Sequence, residues 1–302
     1  MKIFAGIDGG QSSTVAVIGD ETGAVLGRGT AGPCDWIGQA ADSPRFARAV
    51  EGAIGDALRA ASLPPETPFE AIVAGISGYE GTIHGLEPKL NAQSVSYLHD
   101  ARVAHAGAFE LGAGIVVIAG TGSVALGRLR DGSEAVVGGW GFLFGDEGSA
   151  FAIAREALAL AMRAQDEGRN SELEERARRF FGRSSLRAVA RGYYTGALDR
   201  TALAAFATAV LAAASEGVEE ARSVIDDAAK ALGALTATCA RRLGGTSAID
   251  VALCGGTFGS EWFRSRVAER IVERLAGARV IEPRRDPAAG ALLLAVQSGK
   301  TA

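Results

Sequence analysis

The sequence predicts an α/β protein of two similar domains, and three observations carry this prediction. Strand-like apolar runs alternate with helix-like amphipathic runs along the chain. The 302 residues exceed the size at which one hydrophobic core usually stops growing. An apolar strand, a glycine-containing turn with small hydroxyl residues and a returning strand occur at 2–20 and again at 114–129. We therefore expect a first domain at 1–110 and a second at 111–302.

The first domain is predicted to begin with a β-hairpin, because the GGQSS segment that joins its first two strands is too short for a helical crossover. A helix is expected over 43–63, with Ser43 as its N-cap and Pro44 at its first position. The strand-like runs of this domain are 2–8, 14–20, 23–32, 69–78 and 94–100.

The second domain is predicted to carry a helical insertion over 150–243. A strand that ends in a glycine turn follows at 249–260, and 286–299 forms a closing helix with a proline in its first turn. We expect this last helix to pack back on the first domain. The alanine-rich helices at 200–243 suit a homodimer surface as well as a core.

Composition restricts the class of function. With 48% hydrophobic residues and a formal net charge of -4, the chain offers no electrostatic case for binding nucleic acid or a membrane surface. Cys34, Cys239 and Cys254 form no CxxC pair, which argues against a disulfide framework or a zinc site. An aspartate at position 8 falls too early for a signal-peptide core, so we expect a cytoplasmic protein.

Three stretches place glycine and hydroxyl residues directly after an apolar strand: DGGQSST at 8–14, GTGS at 120–123 and GGTFGS at 255–260. Glycine lets the backbone approach an anion closely, and successive N–H groups can point at phosphate oxygens. One such stretch alone indicates a hairpin turn, whereas three indicate phosphate binding. Neither the GxxxxGK[ST] motif nor a GxGxxG turn between a strand and a helix is present.

Two places carry candidate carboxylates. Asp100 ends a predicted strand and precedes a helix, so it is either a helix N-cap or a functional group at the carboxyl end of a strand. Asp146 and Glu147 lie among glycine and aromatic residues before another predicted helix. They would be stabilised at a helix start by the helix dipole, and the aromatic surroundings also suit a sugar ligand. His99 and His105, which flank Asp100, are expected to have structural roles.

The motifs GIDGGQSST, HDARVAH, AGTGSVALG, GGWGFLFGDEGS and CGGTFGS, in this order, resemble one branch of the sugar kinase/Hsp70/actin superfamily. This branch contains the N-acetylglucosamine and glucosamine kinases, and it belongs to the family of BadF/BadG-type ATPases. The resemblance covers nearly the whole chain. It implies two ribonuclease-H-like domains with ATP and Mg²⁺ in the cleft between them, and a sugar as the second substrate.

The resemblance also implies roles for individual residues. Asp100 would be the catalytic base, and Asp8 would hold Mg²⁺ through water. The residues expected to bind ATP and its phosphates are Gly9, Gly10, Gln11, Ser12, Ser13, Thr14, Gly120, Thr121, Gly122, Ser123, Gly255 and Gly256. Those expected to bind the sugar are Asp35, Trp36, Ser77, Gly78, Asp100, Gly139, Trp140, Gly141, Asp146 and Glu147. Ser77 and Gly78 also fit a plain tight turn.

The chain departs from the family pattern at two positions. Cys34 lies where resembling kinases carry asparagine, and Val124 lies where the vertebrate-type kinases carry asparagine. Both departures remove an amide that could bind the acetamido group, so N-acetylglucosamine and glucosamine both stay open as acceptors. Asp35 would suit the positively charged amino group of glucosamine.

The expected reaction is transfer of the γ-phosphate of ATP to a hydroxyl of the sugar, with O6 as the expected acceptor. Two alternatives use the same fold. One is an activator ATPase of a 2-hydroxyacyl-CoA dehydratase or benzoyl-CoA reductase, which needs cysteine ligands for an iron–sulfur cluster. No cysteine lies between Cys34 and Cys239, which argues against it. The other is a non-catalytic sugar sensor, against which the presence of Asp8 and Asp100 argues.

Overall fold

The structure, a computed structural model, describes residues 1–35, 39–245 and 248–300. Within these ranges it contains two five-stranded sheets and ten α-helices, which confirms the α/β class. The strands are β1 (Ile3–Gly9), β2 (Thr14–Asp20), β3 (Val25–Ala31), β4 (Ala71–Ile76), β5 (Val95–His99), β6 (Gly114–Ala119), β7 (Ser123–Arg128), β8 (Glu134–Gly138), β9 (Asp250–Cys254) and β10 (Arg279–Ile281).

The first sheet has the strand order β3-β2-β1-β4-β5. The predicted hairpin is confirmed: β1 and β2 pair antiparallel, and β3 adds to β2 in the same sense. β4 and β5 continue the sheet on the other side of β1, parallel to it. Three parallel strands therefore end at one edge of this sheet, which is where open α/β sheets bind ligands.

The helices that cover the first sheet are α1 (Arg45–Ala60), α2 (Asp100–Phe109) and α10 (Pro287–Ser298). α1 begins one residue later than predicted, after Pro44 as its N-cap. The hydroxyl of Ser43 does accept the Arg45 N–H at 3.3 Å, but Ser43 lies one position before the cap.

Alternate residues of β1 face two different hydrophobic cores, as the two-residue period of a strand requires. Ile3, Ala5 and Ile7 pack in the core that contains α1. Phe4 packs with α10 and α2 on the other face. A Cβ atom at Gly6 would lie 2.1 Å from the backbone nitrogen of Leu292, so only glycine lets α10 approach β1 this closely.

The second sheet has the strand order β10-β9-β6-β7-β8. A 3-10 helix, Gly256–Gly259, follows β9. Residues 150–243 are largely helical, as predicted. The remaining helices are α3 (Ala150–Asp166), α4 (Glu172–Phe181), α5 (Leu186–Tyr194), α6 (Arg200–Ala205), α7 (Ala207–Glu216), α8 (Glu219–Arg242) and α9 (Glu261–Arg274).

The described chain divides into two compact units, and neither is one continuous segment. The first unit comprises Met1–Val116, Arg128–Gly132 and the chain from Glu282 onward. The second comprises Val117–Gly127 and Ser133–Ile281. In the first unit, α10 packs against β1, β4 and α2.

A search for membrane-spanning helices gives one weak candidate among the described residues. No single helix has the length and apolar character needed to cross a bilayer. Arg200–Glu216 and Glu219–Arg242 satisfy both criteria only when taken together, and they bend by 112° at their junction.

Candidate active site

The carboxyl ends of three neighbouring parallel strands meet at one edge of the first sheet. The register pairs Gly9 of β1 with Ile76 of β4, and Ile76 with His99 of β5. The Ser77 N–H donates a hydrogen bond of 2.9 Å to the Gly9 carbonyl oxygen, which ties the ends of β1 and β4 together. Asp100 directly follows His99. The candidate base therefore lies at the same sheet edge as the first glycine turn.

Asp100 is the first residue of α2, but it does not cap this helix. The N-cap is His99, whose Nδ1 accepts the Ala101 N–H at 3.2 Å. The alternative that Asp100 is the N-cap is therefore wrong. The Oδ1 atom of Asp100 lies 2.8 Å from the same Nδ1, and the Asp100 side chain is 21% exposed. The carboxylate is thus held by a neighbouring ring and still reaches the surface.

Asp8 lies at the end of β1, close in charge to two other carboxylates. Burial raises the pKa of Asp8 to about 7, and the negative charges of Asp100 and Asp286 add to the shift. Carboxylates that raise each other's pKa in this way are typical of a place where a divalent cation binds. Among the described residues, no cluster of three His, Cys, Asp or Glu side chains could hold a metal ion. Mg²⁺ commonly uses only one or two carboxylates together with substrate phosphates, and Asp8 fits that pattern.

The first glycine turn, residues 9–14, is closed by its own backbone. The Gly10 N–H donates to the Ser13 carbonyl oxygen at 2.9 Å. Ser12 and Ser13 are exposed and Gln11 is half-buried, so the tip of the turn is accessible to a ligand. Thr14 is fully buried, and its hydroxyl donates to the Gly32 carbonyl oxygen at 2.9 Å. The Thr14 hydroxyl thus stabilises the turn from inside.

The segment 32–35 is fastened to the first glycine turn. The Cys34 N–H donates to the Gly10 carbonyl oxygen at 3.2 Å, and a Cβ atom at Gly9 would lie 2.5 Å from the Cys34 sulfur. Burial, the largest influence, raises the pKa of Cys34 to about 12, so the thiol stays protonated. Cys34, which replaces the asparagine of resembling kinases, therefore packs against the backbone of the turn.

Asp35 forms a largely buried ion pair that the sequence did not predict. Its Oδ1 lies 2.8 Å from Nη2 of Arg45, the first residue of α1. Arg45 also donates from Nε to the Pro33 carbonyl oxygen at 3.4 Å. The negative charge of Asp35 is therefore already balanced by a cation. Trp36, the next predicted sugar contact, lies outside the described residues.

Ser77 and Gly78 form the turn that follows β4. Gly78 has a φ of +74°, a backbone conformation that favours glycine. The Tyr79 N–H closes the turn by donating to the Ile76 carbonyl oxygen at 3.2 Å. The turn expected at this position is present, and contact of Ser77 or Gly78 with a sugar stays a prediction.

The second glycine turn, residues 120–123 of the second unit, is surrounded by hydrogen bonds from the segment before α3. The Gly120 N–H donates to the Gly122 carbonyl oxygen at 3.0 Å, and the Gly120 carbonyl oxygen accepts the Ala150 N–H at 2.8 Å. The Ser123 hydroxyl donates to the Glu147 carbonyl oxygen at 2.9 Å. These bonds join two motifs that lie more than twenty residues apart in the sequence.

Asp146 is buried, with 4% of its surface exposed, and its carboxylate is directed at the second glycine turn. Its Oδ1 accepts the Ser123 N–H at 3.1 Å. Its Oδ2 lies 3.8 Å from Nη2 of Arg200. Burial raises the pKa of Asp146, and the Ser123 hydrogen bond and the charge of Arg200 oppose this shift. Neither Asp146 nor Glu147 lies in the first turn of α3, whose N-cap is Ser149, so the helix-start interpretation of the two acids is wrong.

The glycine and aromatic loop before Asp146 is open on its outer side. Gly139 and Gly141 have φ values of +75° and +82°, and the Gly139 N–H donates to the Ser123 carbonyl oxygen at 3.0 Å. Trp140 and Phe144 are 77% and 84% exposed. Large exposed aromatic surfaces on a glycine-rich loop are suited to stacking on a flat apolar face, such as the C–H face of a sugar ring.

The turn after β9 packs against the end of β6. Gly255 has a φ of +113°, and a Cβ atom at this position would lie 2.4 Å from the Ala119 carbonyl oxygen. The buried Thr257 hydroxyl donates to the same oxygen at 2.7 Å. A Cβ atom at Gly256, in contrast, would meet nothing within 4 Å. The second unit thus brings the predicted adenosine loop next to the strand that leads into residues 120–123.

Three side chains that contact candidate residues were missed or given only a structural role: His99, Arg45 and Arg200. His99 was recognised as a neighbour of Asp100, and the charge on its ring was not foreseen. Arg45 and Arg200 lie far along the chain from Asp35 and Asp146, at the starts of α1 and α6. No local spacing links either pair, so the sequence contains no signal for them.

Similar proteins were found by sequence and by structure. An N-acetylmuramic acid/N-acetylglucosamine kinase of Clostridium acetobutylicum is 29% identical over 77% of this chain and 77% of its own length. An N-acetyl-D-glucosamine kinase of Dictyostelium discoideum is 27% identical over 99% of both chains. The crystal structure of a candidate N-acetylglucosamine kinase of Chromobacterium violaceum matches with a TM-score of 0.80 at 27% identity, covering 98% of this chain and 99% of its own.

The family itself is identified by a match along nearly the whole chain. The sequence pattern of the BadF/BadG/BcrA/BcrD ATPases matches residues 5–295, which include every candidate residue described above. The resemblance that the glycine turns and the GDEGS motif carry is thereby confirmed. The protein belongs to the BadF/BadG/BcrA/BcrD ATPase family.

Proposed function

We propose that this protein is an ATP-dependent amino-sugar kinase that phosphorylates N-acetylglucosamine, with O6 as the acceptor atom. The observation that carries the proposal is the position of Asp100 at the edge where β1, β4 and β5 end, beside the first glycine turn. Membership of an ATPase family and the names of the similar proteins support it.

Asp100 is the proposed general base. Phosphoryl transfer to an alcohol needs a group that orients the hydroxyl and takes its proton as the new P–O bond forms. Asp100 has one oxygen beside His99 and a side chain that is 21% exposed. In this role one carboxylate oxygen is oriented by His99, and the other receives the proton.

Asp8 is the proposed contact to Mg²⁺, through water. The metal would supply positive charge to the phosphates of ATP, and the raised pKa of Asp8 fits a carboxylate that a cation stabilises when bound. The chain's own part is to present the Asp8 carboxylate next to the turn of Gly9, Gly10, Ser12 and Ser13, whose exposed backbone and hydroxyl groups suit phosphate oxygens.

In the second unit, Thr121 and Gly122 are the proposed phosphate contacts, because Ser123 already uses its N–H and hydroxyl within the protein. Gly256 is the proposed neighbour of the adenosine, since its missing side chain leaves open space. Trp140 is the proposed stacking surface for the sugar, and its exposure supports this role.

The ion pair of Asp35 favours a neutral substituent on the sugar. A carboxylate already paired with Arg45 at 2.8 Å gains less from the ammonium group of glucosamine than an unpaired carboxylate would. The acetamido group of N-acetylglucosamine carries no charge and needs no such partner. We therefore place N-acetylglucosamine before glucosamine as the acceptor.

The activator ATPase is less supported by the cysteines. Iron–sulfur clusters are bound by thiolates. Burial raises the pKa of Cys34 to about 12 and that of Cys239 to about 11, so both thiols are held in the protonated form. Cys239 also donates to the Ala135 carbonyl oxygen at 3.5 Å, a bond that packs it in the interior.

The test is a panel of sugars assayed for ATP-dependent phosphorylation, with ADP release and phosphate-31 NMR of the product as readouts. We expect ADP release to depend on N-acetylglucosamine and the product to be its 6-phosphate, with glucosamine a weaker acceptor. ADP release that ignores every sugar would contradict the proposal. The cytoplasm, which supplies ATP, is the proposed compartment.

A further inference from the structure

Asp146 and Arg200 lie in one cluster with the second glycine turn. The contacts of Asp146 begin at Ser123, the last residue of the turn, whose N–H donates to Oδ1 at 3.1 Å. Gly122 lies against the other oxygen, because a Cβ atom at this position would lie 2.8 Å from Oδ2. Both carboxylate oxygens of Asp146 therefore face protein groups.

The backbone of Asp146 is in a conformation that side chains rarely adopt. Its φ is +61°, in the left-handed region, at a position with 4% exposure. A non-glycine residue pays roughly 1–2 kcal/mol for this conformation, although aspartate tolerates it better than most. Such a conformation persists where the surrounding contacts hold it, and functional sites are where it is commonly found. Here the contacts that hold it are those to residues 122 and 123.

Charge is the second consideration. A buried carboxylate next to a turn that binds phosphate would repel the phosphate unless a cation balances it. Arg200 supplies that cation: its Nη2 lies 3.8 Å from Oδ2, and its side chain is 13% exposed. The guanidinium also lies over the ring of Phe142, 4.9 Å from the centroid. Phe142 belongs to the glycine and aromatic loop, so Arg200 links this loop to Asp146.

We propose that Asp146 and Arg200 form a positioning pair for the second phosphate turn. Asp146 fixes the turn through Ser123 and leaves Thr121 and Gly122 to meet phosphate, while Arg200 balances the charge of Asp146. The inference rests on the proposed function only in that the turn binds the phosphates of ATP. It assigns Asp146 to the nucleotide side of the reaction, where a direct sugar contact would assign it to the acceptor side.

The experiment measures the dissociation constant of Mg–ATP by calorimetry without sugar, and the KM for sugar by steady-state kinetics. The variants are Asp146→Ala, Asp146→Asn, Arg200→Gln and the double variant Asp146→Asn/Arg200→Gln. Arg191→Gln, which removes an exposed arginine of α5 in the same helical insertion, is the matched control. Thermal unfolding is recorded for each variant, and Asp146→Asn replaces Asp146→Ala if the latter does not fold.

We expect Asp146→Ala and Arg200→Gln to weaken ATP binding about tenfold, with a sugar KM within about twofold of wild type. Asp146→Asn keeps the acceptor for the Ser123 N–H and loses less. In the Asp146→Asn background, Arg200→Gln costs less than in the wild type, because there is no carboxylate left to balance.

Three outcomes would overturn the inference. One is a rise in the sugar KM with unchanged ATP binding. Another is an equal cost of Arg200→Gln in both backgrounds. The third is a wild-type protein that does not bind Mg–ATP. A wild type that binds Mg–ATP and phosphorylates no sugar contradicts the proposed function, and the ATP-binding measurements still decide on the pair.

Discussion

The Nδ1 atom of His99 lies 2.8 Å from Oδ1 of Asp100 and 3.2 Å from the amide nitrogen of Ala101. One nitrogen cannot donate to the carboxylate and accept from the amide at the same time. The neutral ring with a lone pair on Nδ1 caps α2, and the ring with a proton on Nδ1 pairs with Asp100. The protonation of His99 therefore exchanges a helix cap for an ion pair with the proposed base.

The first prediction concerns the pH dependence of stability. Burial opposes the charged ring, but the hydrogen bond and charge of Asp100 outweigh it and raise the pKa of His99 above 6.5. Arg102 lowers this pKa and Glu80 raises it. A raised pKa means that the stabilisation is fully present below pH 6.5 and is lost as the pH rises through the folded-state pKa.

The variant His99→Asn keeps an acceptor for the Ala101 N–H and removes the titrating ring. We expect the difference in Tm between wild type and this variant to be largest near about pH 5.5 and to shrink towards about pH 8.5. His84→Ala, at an exposed histidine, is the control. A difference in Tm that stays constant over this range would show that His99 acts only as a cap.

The second prediction concerns the ion pair of Asp35. Arg45→Gln leaves the carboxylate without its cation, so glucosamine should become a relatively better acceptor. We expect the ratio of kcat/KM for glucosamine to that for N-acetylglucosamine to rise about tenfold, the size of one charge-assisted hydrogen bond. Arg48→Gln, an exposed arginine of α1, should leave this ratio unchanged. An unchanged ratio in Arg45→Gln would mean that Asp35 does not face the 2-substituent.

The third prediction tests the packing of α10 on β1. A methyl group at Gly6 would lie 2.1 Å from the Leu292 nitrogen and 2.3 Å from the Ala288 oxygen, both of which are backbone atoms that cannot rotate away. We expect Gly6→Ala to cost about 3 kcal/mol or more in the free energy of unfolding, measured by denaturant titration. Gly55→Ala, inside α1 with only the end of Arg59 within 4 Å, should instead gain about 0.5–1 kcal/mol. Equal effects at the two glycines would contradict the close approach.

Local patterns predicted the local structure well. The hairpin of β1 and β2 followed from a five-residue connection, and the strand that leads to Asp100 followed from its apolar residues and the polar turn after it. Caps were predicted less well, because several polar residues near a helix start compete for the same N–H groups. Ser43 and Asp100 were both considered as caps, and Pro44 and His99 hold those positions.

Charge partners could not be predicted, because they depend on which distant segments the fold brings together. Asp146 meets Ser123 and Arg200, 23 residues before it and 54 residues after it, respectively. The glycine and aromatic residues around Asp146 indicated a functional place, and the sequence could not show which group its carboxylate contacts. The pairing of Asp35 with Arg45 has the same explanation and changes the expected sugar.

The central claim is that Asp100 is the base of an amino-sugar kinase, and the most direct test is the kcat of Asp100→Asn with N-acetylglucosamine and saturating Mg–ATP. Asparagine fits the same space and cannot take the proton, so we predict a loss of about 10²–10⁴ in kcat. The dissociation constant of Mg–ATP and the Tm should stay close to wild type. A variant that folds normally and keeps near-wild-type turnover would contradict the account.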